Sequence, residues 1–293
     1  LHYADMPLDD VQRTLQSVEN ALTAEDGIDP VTGKSYGQLI DADSWARKYL
    51  VEEIFGNIDG GTLSQYFYLD GSDGTGKVYA GPVWDFDLSM GKSVSWPSDA
   101  PNMFFANRPG NWDTSWFHGI YQKEDFRRLV ERLYEEEFRP LAERLLETGL
   151  DRYRDAIGPA AERNRLRWDE DDPAQATEQI RSYLTARLDF LDSVWLEDET
   201  YCTLQINALE GEVICYALKP GEVPPEFPEF ADTDTTIYEG WYTLDTDEPY
   251  DPAQPVYEDT VIYLKTVPRE RELEAGEALL LRLFRGALMG VFC

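Results

Sequence analysis

The chain has 293 residues, 42% hydrophobic and 13% aromatic, which is ample for one large and one small packed domain and argues against disorder over most of its length. Its 57 acidic and 26 basic residues leave a formal net charge of −31. That field repels phosphate backbones and anionic lipid, so nucleic acid is a poor partner and cations are favoured ones. No run of 18 apolar residues is present to span a membrane.

In chain order, Val11, Leu15, Val18 and Leu22 recur at helical spacing and predict a helix over 9–23. After a turn-rich stretch, Asp41 or Asp43 caps a helix bearing Trp45, Tyr49, Leu50 and Ile54, which Gly56 closes in a left-handed conformation. Strand-like runs at 64–69 and 77–88 flank a glycine-rich segment and predict a hairpin. That segment, Gly71 to Lys77, resembles a phosphate-binding loop. However, Val78 stands where Ser or Thr would bind Mg²⁺, and a strand follows instead of a helix, so a hairpin turn is expected. Residues 92–115 read as loop. Phe126, Leu129, Val130, Leu133 and Tyr134 form the next helical stripe, which Pro140 kinks or restarts. A helix near 147–167 follows, and another begins at Asp172-Pro173 and runs to Trp195.

Near residue 199 the texture changes. Strands are predicted at 203–208, 211–218, 236–244 and 256–267, giving a small β domain in which Trp241 is expected to pack in the core. Cys202 and Cys215 read either as one disulfide or as two core thiols. The tail, with Leu273, Leu280, Leu281, Leu283, Phe284 and Leu288, reads as an amphipathic helix.

Residues 57–91 carry the chemistry. On a strand, Asp85 and Asp87 share one face while Trp84 and Phe86 point into the core. Two neighbouring carboxylates are unfavourable unless one protonates or a cation sits between them, and hard oxygen donors suit Mg²⁺, Mn²⁺ or Ca²⁺; the alternative is a solvated strand end. Asp59 follows the helix that ends at Gly56, and the glycines beside it leave its carboxylate room to act as a general base. The alternative is a turn Asp bonded to its own backbone, a reading that Asn57 shares. Only His2 and His118 are present, and nothing around His118 fits a Ser-His-Asp triad or a zinc site, so it is expected to be structural.

Several of these features together resemble the C-terminal portion of the CotH family, named for a spore coat protein H. They are the helix ending in Asn57-x-Asp59, the strands with Tyr66 and Tyr68, the Pro82-Val-Trp84-Asp85-Phe-Asp87 segment with Gly91, and the later helix with Arg187 and Trp195. The resemblance covers residues 1 to about 197. It implies a mainly helical kinase-like C-lobe with a small β hairpin carrying the Asp pair. With the small β-rich domain and tail helix read from the residues, the expected fold is α+β, divided into 1–198, 199–268 and a C-terminal helix at 269–293. It also implies transfer of the γ-phosphate of ATP, with Mg²⁺ (or Mn²⁺), to Ser or Thr of a coat or surface protein, in an extracytoplasmic setting.

Position by position, the resemblance makes Asp59 the catalytic aspartate that orients or deprotonates the acceptor hydroxyl. Asp85 becomes the ligand of the metal bridging the phosphates, Asp87 a second ligand or its partner, and Asn57 and Ser64 cofactor-binding residues. The family carries Asn where Ser64 stands, and a hydroxyl ligates Mg²⁺ more weakly. None of the seven lysines sits in a strand followed by an acidic helix, as a phosphate-holding kinase lysine would. The chain is therefore expected to be the larger lobe, cut or processed from a longer protein, with little transferase rate alone; a divergent, inactive member is an alternative. Outside the family, the alternatives are a non-catalytic cell-surface binding module on a kinase-like scaffold and a glycosyltransferase that uses Asp85-x-Asp87 for a nucleotide-sugar metal.

Overall fold

The computed structural model describes residues 7–61, 63–69, 76–91, 100–107, 115–168, 172–208, 213–225 and 227–269. The fold is α+β, with a helical part followed by a four-stranded sheet.

Helix α1 (Leu8–Thr23) buries Val11, Val18, Ala21 and Leu22. It is stitched to the following turn by buried Asp29, which accepts from Ser17 at 2.5 Å, Thr32 at 2.5 Å and Asn20 at 3.0 Å. Those hydrogen bonds hold the Asp29 carboxyl well below the usual carboxylate range. After the single turn α2 (Tyr36–Leu39) comes α3 (Ala42–Phe55). The Asp41 side chain caps it by accepting from the Ser44 amide at 2.9 Å, and Gly56 ends it at φ 58°. A side chain at Gly56 would be strained by that φ and would meet the Phe105 ring at 3.1 Å. Helix α3 is buried on most sides; its Tyr49 lies among the rings of Phe117, Tyr121, Phe126 and Trp195.

Strands β1 (Phe67–Leu69) and β2 (Val78–Ala80) form the expected hairpin, with Leu69 opposite Val78 and Phe67 opposite Ala80. Residues 70–75, at its tip, lie outside the described residues. Helices α4 (Trp116–Tyr121) and α5 (Glu124–Leu133) follow. Pro140 restarts the helix as α6 (Arg139–Arg144), in whose first turn it sits, after a π-helical turn at Tyr134–Phe138. Proline has no N–H to give and its ring crowds the preceding turn, and the wider π turn relieves both problems. A second π turn (Leu145–Gly149) leads into α7 (Leu150–Trp168), and α8 (Pro173–Trp195) is capped by Asp172 as its sequence predicts.

The sheet has strand order β4-β3-β6-β5, formed by β3 (Cys202–Asn207), β4 (Val213–Leu218), β5 (Thr236–Thr243) and β6 (Thr260–Pro268). Two antiparallel hairpins meet along the parallel pair β3–β6. Trp241 is buried edge-on against Phe227 and Phe230, a core role as expected. Cys202 and Cys215 are buried and are not bridged to each other: Cys202 faces Leu218 and Cys215 faces Gln205 across the ladder. Val213 and Cys215 also pack with Ile58, Met103 and Phe105, so the sheet touches the residues around the end of α3. The tail helix expected at 269–293 falls, beyond Arg269, outside the described residues. Among the described residues no helix is long and apolar enough to cross a membrane.

One expectation is corrected. Asp85 and Asp87 do not lie on a strand, because β2 ends at Ala80. The last backbone bond across the hairpin runs from the Gly81 amide to the Tyr66 carbonyl at 2.7 Å, and Pro82 then has no N–H to offer. Asp85 adopts φ 62°, which breaks the alternation on which the shared face depended. Trp84 is accordingly 56% exposed instead of buried, and Phe86 is only half-buried, edge-on to Phe55 at 6.3 Å.

Candidate active site

Helix α3 is the spine of the site. Residues 41, 44, 45, 48, 52 and 55 fall on one helical face and reach the hairpin, the loop 57–65 and the turn 82–91 in succession. At its start, the Trp45 indole donates to the Val78 carbonyl at 3.0 Å, and the Ser44 hydroxyl accepts from the Ala80 amide at 3.1 Å. At its end, the Phe55 carbonyl accepts from the Met90 amide at 2.9 Å. The hairpin and the Asp85 turn are thus both hung on one rigid helix.

The loop after Gly56 is held by side chains. Asn57 is fully buried; its amide donates to Glu52 at 2.7 Å, and its Oδ1 accepts from the Asp59 amide at 3.3 Å. Asp59 itself is half-buried. Its carbonyl accepts from the Leu63 amide at 3.2 Å, and Gln65 accepts from the Gly61 amide at 3.1 Å. The loop therefore turns back on itself and delivers Ser64, whose hydroxyl donates to the Asp85 carboxylate at 3.3 Å.

The structure thus brings the expected residues together in two pairs, Asn57 with Asp59 and Ser64 with Asp85. Asp87 is exposed. Beside the second pair lies an exposed aromatic face: Tyr66 and Trp84 meet edge-on at 5.9 Å, and Tyr68 stacks on Tyr79 at 5.2 Å.

Two residues under the loop had no signal in the sequence. Lys48 is 4% exposed, and its ammonium donates to the Tyr66 carbonyl at 3.2 Å and the Pro82 carbonyl at 3.3 Å. Burial pushes that amine below its ordinary value. One turn later, Glu52 is fully buried, and its Oε1 has no hydrogen-bond partner among the described residues. Burial pushes the Glu52 carboxyl up to about 7, against the opposing pull of the Asn57 amide and Lys48. Gly60 covers it so closely that an added Cβ would lie 2.9 Å from Glu52 Oε2. Neighbouring Glu53, also fully buried, accepts from the Arg187 guanidinium at 2.7 Å and from the amides of Phe105, Ala106 and Asn107. The Nδ1 of His118 lies 3.1 Å from the Asn107 side chain.

Among the described residues, no group of three or more His, Cys, Asp or Glu side chains is placed to hold a metal ion. Mg²⁺ on a nucleotide does not require such a cage; it takes one or two carboxylates and completes its shell with phosphate oxygens and water. Asp85 and Ser64 are two hard oxygen donors in contact at the open side of the loop, a set that fits this mode.

A family model described as CotH kinase protein matches residues 4–191, which takes in the whole helical part up to the last turn of α8. No curated protein and no solved structure matches the chain. A match of that extent, well over half the sequence, places the chain in the CotH kinase family.

Proposed function

We propose that the chain carries the larger lobe, with the base and metal-binding residues, of an ATP-dependent kinase of this family that phosphorylates Ser or Thr of a secreted, coat or surface protein in an extracytoplasmic setting. The observation that carries the reading is the Ser64–Asp85 contact, which closes the loop bearing Asp59 onto the turn bearing Asp85. The family match supports nucleotide use and favours a kinase over the glycosyltransferase reading. On this proposal residues 1–198 form a kinase-like C-lobe, and 199–268 form a β domain with its own buried cluster around Leu204, Trp241 and Ile262.

In the proposed reaction Asp59 accepts a hydrogen bond from the acceptor hydroxyl and takes its proton. The hydroxyl oxygen forms a bond to the γ-phosphorus, and the bond to the β-phosphate oxygen breaks, releasing ADP. Asn57 holds the backbone amide of Asp59 and so fixes the loop that carries its carboxylate. Asp85 and Ser64, with Asp87 as a further ligand, would hold Mg²⁺, which supplies positive charge to screen the phosphates. The exposed rings of Tyr66 and Trp84 offer aromatic faces for the base, a contact of a kind worth about 1–3 kcal/mol. Catalysis of this sort is mostly placement and charge neutralisation.

The test is phosphate transfer from γ-labelled ATP to a Ser/Thr-rich acceptor protein with Mg²⁺ present. Asp59→Asn should lower the rate by at least about a hundredfold while leaving nucleotide binding intact. Equal rates in the two proteins would remove Asp59 from its role. A second reading, a non-catalytic binding module, is favoured by the exposed aromatic face of Tyr66, Tyr68 and Trp84. It predicts that no acceptor is labelled and that Trp84→Ala alone weakens partner capture.

A further inference from the structure

We infer that Lys48 is a positioning residue whose buried ammonium clamps the backbone on both sides of the Ser64–Asp85 pair. This inference rests on the kinase reading only for the ligand used in one arm of its test. Lys48 sits on α3 between the turn that anchors the hairpin and the turn that anchors the Asn57 loop. Its ammonium bonds the carbonyl of Tyr66, two residues after Ser64, and that of Pro82, three residues before Asp85.

No strand pairing extends past Ala80, so the chain between Gly81 and Asp85 has no ladder to fix it. The Tyr66 carbonyl accepts from both Lys48 and the Gly81 amide, so one oxygen joins the helix, the strand that leaves the loop and the strand that enters the turn. A charged donor strengthens both hydrogen bonds, and its burial keeps water from competing for the same carbonyls. Lysine at a 4% exposed position is costly to desolvate. Glu52, one turn away, partly offsets that cost by drawing the amine back toward its charged form. An apolar residue would pack here without such compensation; what the lysine adds is an ammonium bonded to two carbonyls.

The test measures amide exchange and Mg²⁺-ATP binding on the full chain in parallel. Lys48→Met removes the ammonium and keeps the stem. Lys123→Met is the control, because Lys123 is also buried and also donates to a backbone carbonyl, that of Ala24, away from the site. Lys48→Met should raise exchange at the Gly81 amide by about tenfold or more, and should weaken Mg²⁺-ATP binding by a similar factor if the parent binds it. Lys123→Met should change neither. Lys48→Gln, which keeps N–H donors on a shorter stem, should fall between and gives the comparison if the Met variant does not fold.

Exchange at Gly81 within twofold of the parent would overturn the clamp, as would unchanged Mg²⁺-ATP affinity in a chain that binds the nucleotide. Faster exchange in a chain whose parent binds no Mg²⁺-ATP would uphold the clamp and count against the kinase reading instead.

Discussion

Asp85 holds a left-handed backbone, φ 62°, in which an L-residue costs roughly 1–2 kcal/mol, somewhat less for Asp than for most. Glycine would relieve that strain, so what aspartate adds at this position is its carboxylate. Asp85→Gly should therefore leave thermal stability equal to the parent's or up to about 1 kcal/mol higher, while abolishing metal-dependent nucleotide binding. A stability loss in calorimetry would show that the carboxylate serves the fold instead. Glu52 makes a separate prediction. Its folded-state carboxyl is pushed above the ordinary 4.5 to about 7, so the native state keeps a proton that the unfolded chain releases. Its contribution is fully present below about pH 4.5 and is lost as pH rises to about 7, with an amplitude of order 1–3 kcal/mol. Glu52→Gln should flatten that part of the stability–pH curve, which denaturant titrations between pH 4 and 8 will reveal.

Among the elements, α3 organises the helical part, and one buried ion pair ties it to α8. Arg187 donates to the Glu53 carboxylate and backbone carbonyl and to the Pro101 and Met103 carbonyls, and both side chains are fully buried. Removing one partner strands the other, so Arg187→Met should cost about 3–5 kcal/mol and lower Tm by about 10 °C. A change under about 1 kcal/mol would mean that the three backbone amides satisfy Glu53 unaided. The boundaries of α3 were legible because Asp41 and Gly56 carry strong cap chemistry, and the sheet strands were legible from alternation between turn residues. The Asp85–Asp87 strand was misread because an apolar run that continues past a proline looks like a ladder, although nothing pairs with it. Lys48 and Glu52 were illegible for another reason: a Lys and a Glu four apart on a helix read as a solvated surface pair. Only the hairpin and the Asn57 loop, folded over them, put both in the interior.

For the molecule as a whole, the net charge of −31 sets the terms on which it meets a polyanion. Free ATP should be repelled and Mg²⁺-ATP accepted. Raising ionic strength from 0.01 to 0.15 M shortens the screening length from about 30 to about 8 Å, which should raise Tm by relieving self-repulsion; a fall in Tm would mean that surface ion pairs outweigh that repulsion. The site sits on the matched span 4–191, and the sheet touches the same neighbourhood through Val213 and Cys215 against Ile58 and Phe105, so the two parts are mechanically linked. The most direct measurement is calorimetric titration of ATP into the chain with and without Mg²⁺, beside Asp85→Gly. The account predicts saturable binding that requires Mg²⁺ and disappears in the variant, with a melting shift equivalent to about 2.7 kcal/mol at a hundred times the dissociation constant. Binding that survives in Asp85→Gly, or no binding by the parent at millimolar Mg²⁺-ATP, would contradict it.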